Sequence, residues 1–399
     1  LNGSPDFIGI SGFKAIDGHC DFPQALTIAK HLAAANLKGC AVPSPRRIRY
    51  RRLVRVAFIL LVLLVAVPGS LALIGLSDFD ISNRPTEQIS FAHDGAVLSG
   101  SLILPGAQHT GPIALLVHGD GPQDRFADDG YLPLINALLD RGIGIYSWDK
   151  AGVGESTGNW LSQSMNDRAN EAVAAYKAIK TAHPDSGQKI GFIGFSQAGW
   201  VIPKASRMIP DNAFNVIIGG AVNWQNQGDF YTRQRLLADG TTQAEINDQI
   251  ERNHVRDAVI FAPDATYETY LANIDDQHPM PYGRFEFVKR NITSDATADL
   301  GLLETPTLAM WGRDDLNVDA KTDAAIYRDI LIGRHPENEV IVIPDATHAL
   351  LRSNLFNYQL SSEMPTSRQM LYVALGRYAY VPGTFDKIAD WIKQVVART

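Results

Sequence analysis

Gly194-Phe195-Ser196-Gln197-Ala198-Gly199 stands between the apolar run 190–195 and a helical pattern over 197–208. The run Ile-Gly-Phe-Ile-Gly-Phe reads as a strand buried on both faces, so the chain passes from strand to helix across one serine. So sharp a turn forces strained backbone angles on Ser196, and small flanking residues remove the clashes that would forbid it. Its hydroxyl is thereby held above the sheet at a helix N-terminus, where amides and dipole favour developing negative charge. Ala198 stands where a strict Gly-x-Ser-x-Gly has its second glycine, but alanine still permits close approach, and Gly199 follows. The motif alone leaves two readings open, a nucleophile or a serine capping the helix that begins at Gln197.

Outward from this turn, short runs rich in Ile, Val and Leu alternate with helical patterns. Strands are predicted over 113–117, 143–148, 190–195, 216–218, 307–311 and 340–343, and helices over 132–139, 167–182, 197–208, 320–331 and 384–396. This alternation implies an α/β fold, a mostly parallel, doubly wound sheet with helices on both faces. Two opening strands, 88–92 and 97–104, are joined by the turn residues Asp94-Gly95. Between residue 223 and about residue 300 a polar, aromatic-dotted stretch replaces the expected single helix. An insertion of that size reads as a helical cap over the ligand site.

Three more strand ends carry chemistry. Run 113–117 leads into His118-Gly119-Asp120-Gly121-Pro122, run 307–311 into Gly312-Arg313-Asp314-Asp315, and run 340–343 into Pro344-Asp345-Ala346-Thr347-His348. An acid after one strand and a histidine after the next complete the order Ser, Asp, His at the carboxyl ends of successive strands, which chance seldom assembles. On such a frame the amides of Asp120 and Gln197 would receive an oxyanion, while His118 reads as a brace for its own loop. Gly152-Val153-Gly154-Glu155-Ser156-Thr157-Gly158 lacks the lysine a phosphate-binding loop needs, and Glu155 would repel phosphate, so it reads as a structural turn. No metal-ligand spacing is present, and no cofactor is implied.

Together these stretches make residues 87–399 resemble bacterial α/β-hydrolases of the esterase and serine-aminopeptidase-like branch. The matching motifs are His118 to Arg125, Asp149 to Gly158, the Ser196 turn and Gly312 to Val318. The resemblance implies the α/β-hydrolase fold, Ser196 as nucleophile, His348 as base, and an acid three residues after Gly312, which selects Asp315 over Asp314. Two residues depart from the pattern: Asp120, where an uncharged residue is frequent, and Ala151, where arginine is common. The activity implied is cleavage of carboxylic esters through an acyl-enzyme, the substrate being a small-molecule acyl ester. Alkoxide leaving groups ask least of such a site. Tyr231, Tyr267, Tyr270, Phe285 and Phe287 have two readings, an acyl pocket or the cap's own core. The same triad serves thioesterases and peptidases, and an aminopeptidase would need an acidic anchor such as Glu251, Glu268 or Glu286. An inactive binding protein on the same fold is the alternative of another class.

Composition bounds the partners. A formal net charge of -7 over 399 residues gives no field for phosphate backbones, which excludes nucleic acid. Both cysteines, Cys20 and Cys40, precede the basic cluster Arg46 to Arg55, so the rest of the chain has neither disulfide nor thiolate metal site. That cluster runs into the apolar stretch 56–67, then Pro68-Gly69-Ser70 and a second apolar patch, 71–76. Positive, then apolar, then small is the order of an export signal, either cleaved with Ser70 and Ala72 at positions -3 and -1 of the site or retained as a membrane anchor over 53–76. The expected division is a disordered tail or over-extended reading frame over 1–45, a signal or anchor over 46–78, and an exported hydrolase domain over 79–399 with its cap at about 223–300. Oligomeric state leaves no signature.

Overall fold

A computed structural model describes residues 72–183, 189–275 and 278–398, with 54–56, 58, 69 and 70 before them. The extension over 1–45 and most of the signal or anchor segment lie outside the described residues. Among the described residues no helix is long and apolar enough to cross a membrane.

Eight strands form one sheet: β1 (Thr86–His93), β2 (Ala96–Ile103), β3 (Ile113–Val117), β4 (Gly144–Trp148), β5 (Ile190–Phe195), β6 (Asn215–Ile218), β7 (Thr307–Gly312) and β8 (Glu339–Ile343). Their order is β1-β2-β4-β3-β5-β6-β7-β8. β1 and β2 pair antiparallel to each other, as do β2 and β4, and every later pairing is parallel. Strands β3 to β7 are buried at every position, which their unbroken apolar sequences require, whereas the edge strand β8 is mostly half-buried. The hairpin turns on Asp94 and Gly95, both at positive φ, as a two-residue connection of this hand demands.

Helices α1 (Leu132–Asp140), α2 (Met165–Ala182) and α3 (Ala198–Arg207) follow β3, β4 and β5. Between β6 and β7 the chain inserts α4 (Trp224–Ala238), α5 (Gln243–Ile260), α6 (Tyr267–Ala272), α7 (Tyr282–Asn291) and α8 (Thr297–Leu300). Then come α9 (Ala320–Leu331), α10 (Ser353–Phe356), α11 (Thr366–Leu375) and α12 (Thr384–Arg398). Capping boxes start α2 at Ser164 and α5 at Thr242, each hydroxyl meeting the amide three residues on.

The insertion leaves and rejoins the sheet at one neck, where Ala296 N donates to Val222 O at 2.8 Å and Trp224 N to Ser294 O at 3.0 Å. Aromatic rings fill its interior: Phe285 lies against Phe261 and Tyr270, Tyr267 against Tyr270 and Phe285, and Phe287 between Trp160 and Trp224. Of the five aromatic residues with two readings, Tyr267, Tyr270, Phe285 and Phe287 therefore belong to this core, and Tyr231 faces a cavity.

Candidate active site

Ser196 sits between β5 and α3 with φ of 53°, a left-handed angle that a non-glycine residue holds at a cost. Its amide donates to Ile218 O at 2.8 Å, tying the turn to the end of β6, and its carbonyl accepts from Gly199 N at 2.9 Å, starting the helix. Glycine is needed at 194, because a Cβ there would lie 2.5 Å from the Cβ of Ala198. The half-buried Ser196 thus stands at the carboxyl edge of the sheet, where open α/β sheets bind ligands.

The loops after β7 and β8 are laced by Arg313 N to Ile343 O at 2.8 Å and Asp314 N to Ala346 O at 2.9 Å. That lacing brings His348 Nδ1 within 2.7 Å of Asp315 Oδ2, while Asp315 Oδ1 accepts from the amides of Asn317 at 2.7 Å and Val318 at 3.0 Å. Asp315 has no exposed side-chain surface, so its orientation is fixed by these bonds. Asp314 points elsewhere, accepting from Ser353 Oγ at 2.5 Å. His348 Nε2 has no hydrogen-bond partner among the described residues. In the neutral tautomer with Nδ1 donating to the carboxylate, the lone pair is on Nε2. Gly219, at φ of 62°, leaves the space the imidazole occupies, since a Cβ there would be 2.8 Å from His348 Cε1.

Two small cavities share Ser196 as a wall. One, of about 50 Å³, also touches Asp120, Gln197, Trp224, Tyr231 and Arg284; the other, of about 40 Å³, touches His348, Leu351, Phe356 and Met364. The first is polar on one side and the second largely apolar. An open depression of about 820 Å³ lies at the amino ends of the strands beside Lys189, Ala213 and Pro306, at the opposite edge of the sheet from Ser196.

The loop after β3 is held by charges the sequence reading did not single out. Asp120 is ion-paired to Arg284 of α7 through two bonds, of 2.9 Å and 2.6 Å, and Gln197 Nε2 adds a third donor at 3.2 Å. Burial alone would raise the Asp120 carboxyl, but the charge and hydrogen bonds of Arg284, with Lys150 behind them, hold it well below the usual carboxylate range. The charge at this departure from the family pattern is thereby neutralised. His118 is buried, with Nε2 2.5 Å from Trp148 O, and burial pushes it down to about 3, so it is a neutral brace. At the other departure, Ala151 is buried in the turn that Arg125 locks by binding both carboxylate oxygens of Asp149. Among the described residues no cluster of His, Cys, Asp and Glu is fit to hold a metal ion.

A family model described as serine aminopeptidase, S33, matches residues 113–354. Among solved structures the chain is similar to esterase Pf2001 of Pyrococcus furiosus, at 15% identity over 79% of this chain and 91% of that one, with a TM-score of 0.49. Est1E from Butyrivibrio proteoclasticus, with ferulic acid bound, is 15% identical over 78% of this chain and 98% of its own, with a TM-score of 0.46. A membrane phospholipase A described as a bacterial virulence factor is 16% identical over 87% and 99%, with a TM-score of 0.46. The curated proteins give no match.

Proposed function

Since the chain belongs to the serine aminopeptidase S33 family of α/β-hydrolases, we propose that it cleaves carboxylic esters through an acyl-enzyme on Ser196, with His348 and Asp315 completing the triad. The observation that carries this reading is the Asp315-to-His348 bond of 2.7 Å, which leaves Nε2 unpartnered on an imidazole that shares a cavity with Ser196. In the reaction His348 Nε2 takes the Ser196 proton, the oxygen attacks the acyl carbon, and Asp315 stabilises the imidazolium. The tetrahedral oxyanion is received by the amides of Asp120 and Gln197, neither of which donates elsewhere among the described residues. The imidazolium then protonates the leaving alkoxide, and water repeats the sequence to free the acid.

Charge in the cavities favours an ester over an aminoacyl substrate. Asp120 is the one acid among the described residues lining the two Ser196 cavities, and Arg284 already occupies both its oxygens. Glu251, Glu268 and Glu286 line neither cavity, so a substrate ammonium would find no free carboxylate. An exported location rests on the basic-then-apolar sequence of 46–78.

Ser196→Ala is expected to abolish turnover and fluorophosphonate labelling while leaving the folded protein intact. A panel of p-nitrophenyl esters beside aminoacyl p-nitroanilides should give rates with the esters alone. Unchanged turnover in the variant would overturn the nucleophile assignment, and faster anilide cleavage would overturn the ester preference.

A further inference from the structure

An oxyanion hole works only if its amides already face the site before the reaction, because reorienting a peptide during catalysis would consume the stabilisation it provides. The Gln197 amide is oriented by the start of α3. Asp120 lies in a loop, outside any strand or helix, and needs another means.

Lys150 supplies it. The side chain is 1% exposed, and Nζ donates to Gly119 O at 3.0 Å and to Gly121 O at 2.8 Å, the carbonyls on either side of Asp120. In a trans peptide the carbonyl and the N–H point in opposite directions. Drawing the Gly119 carbonyl toward Lys150 therefore turns the N–H of the same peptide plane, that of Asp120, away from Lys150. Ser196 lies close by: a Cβ on Gly119 would be 3.5 Å from the Ser196 Cβ, and Asp120, Ser196 and Gln197 line one cavity. Arg168, 4% exposed, acts one peptide earlier, donating to His118 O at 2.7 Å and binding Gln197 Oε1 with its other nitrogen. It thus ties the loop to the residue that carries the second amide.

Packing alone does not explain Lys150. Among the described residues it forms no ion pair, and beyond the two carbonyls it meets the Trp160 ring, 4.6 Å from Nζ to centroid. A buried amine hydrogen-bonded to no carboxylate is costly, and burial together with the Arg168 charge pushes its pKa well below the usual lysine range, although the charges of Asp120 and Glu171 oppose this. An apolar side chain of the same volume would fill the space but leave both carbonyls without this donor.

We infer that Lys150 and Arg168 are positioning residues of the oxyanion hole, fixing the Asp120 amide toward the tetrahedral intermediate by holding the carbonyls of its loop. This rests on the serine-hydrolase reading above. The test compares wild type with Lys150→Met and Lys150→Gln on a p-nitrophenyl ester, with kcat expressed per site titrated by a fluorophosphonate, and measures binding of an alkylboronic acid that forms a tetrahedral adduct. Loss of one oxyanion donor costs about 100-fold or more, so Lys150→Met should lower kcat per titrated site about 100-fold, leave KM within about threefold, and weaken boronate binding in parallel. Lys150→Gln, which keeps one donor, should fall between the two. A merely structural lysine would reduce the number of titrated sites and leave kcat per site unchanged, which would overturn the inference. If Lys150→Met does not fold, Lys150→Gln with wild-type kcat per site and wild-type boronate affinity overturns it equally. Ser196→Ala separates the two levels: activity surviving there defeats the serine-hydrolase reading and this inference with it, whereas loss there with an unaffected Lys150→Met defeats this inference alone.

Discussion

Replacing Arg284 by methionine keeps most of the side-chain volume and removes the partner of a carboxylate that is 6% exposed. Two unit charges about 4 Å apart attract by about 4 kcal/mol at an effective dielectric of about 20. Removing one member of a buried pair costs about 3–5 kcal/mol, because the survivor remains desolvated without compensation. Arg284 retains 18% of its side-chain exposure, so the lower end, about 3 kcal/mol, is the expectation for Arg284→Met. The double variant Asp120→Asn/Arg284→Met leaves neither member of this pair charged and should return to within about 1–2 kcal/mol of wild type, which is a coupling readable in a double-mutant cycle. Urea denaturation of the four proteins supplies the stabilities. The single variant also uncovers an acid beside Ser196, so its preference for an aminoacyl ester over a neutral ester of equal length should rise about tenfold, equivalent to about 1.4 kcal/mol. A double variant no more stable than Arg284→Met, or an unchanged ester ranking, would show that the pair neither couples the loop to the insertion nor masks an anchor.

Asp315→Asn should lower kcat about 10⁴-fold through loss of imidazole orientation, while Asp314→Asn, which loses a bond to Ser353, should stay near wild type; the reverse ranking would relocate the acid. Gly219→Ala would set a Cβ 2.8 Å from His348 Cε1 at φ of 62°, so turnover should fall about 10- to 100-fold, and a wild-type rate would show that the imidazole does not need this space. Burial raises Asp323 from an ordinary 3.8 to about 7, with the charges of Asp319 and Asp315 adding to it, so the folded state holds a proton that the unfolded chain has released. Its contribution is full below about pH 4 and is lost as pH rises through about 7. Wild type should therefore lose about 2–3 kcal/mol between pH 5 and 8 that Asp323→Asn does not, and parallel denaturation profiles would contradict this.

How much was legible depended on how strongly a segment's burial shaped its sequence. Runs 113–117, 190–195 and 320–331 have the expected boundaries, since two-sided burial or one apolar helical face leaves a distinct pattern. α11 buries Tyr372 alone and carries no periodicity to read, and α4 to α8 are too polar for their number to be anticipated. Ser196, Asp315 and His348 were legible as strand-end residues, but the choice between two adjacent acids came from resemblance. What distinguishes them in space is the turn that gives Asp315 the amides of Asn317 and Val318. Lys150, Arg168 and Arg284 were not legible, because each acts on a partner brought near by the fold. Lys150 reaches carbonyls 31 and 29 residues away, and Arg284 a carboxylate 164 residues away.

Those three cations also change what the insertion contributes. A lid that merely shapes a pocket would govern the ranking of acyl chains and leave bond cleavage alone. Asp120, however, turns its carboxylate toward α7 while the carbonyls flanking it are held by Lys150, so one residue is gripped from the insertion and from the sheet together. Any shift of α7 that lengthens the Arg284 bonds pulls on the same short loop whose amide is proposed to meet the oxyanion. The other grip resists it, because Lys150 and Arg168 are buried and cannot trade their carbonyl partners for water. The Arg284 bonds and the proposed oxyanion amide thus meet in one residue, Asp120, so substitutions at α7 should be read in kcat as well as in substrate choice.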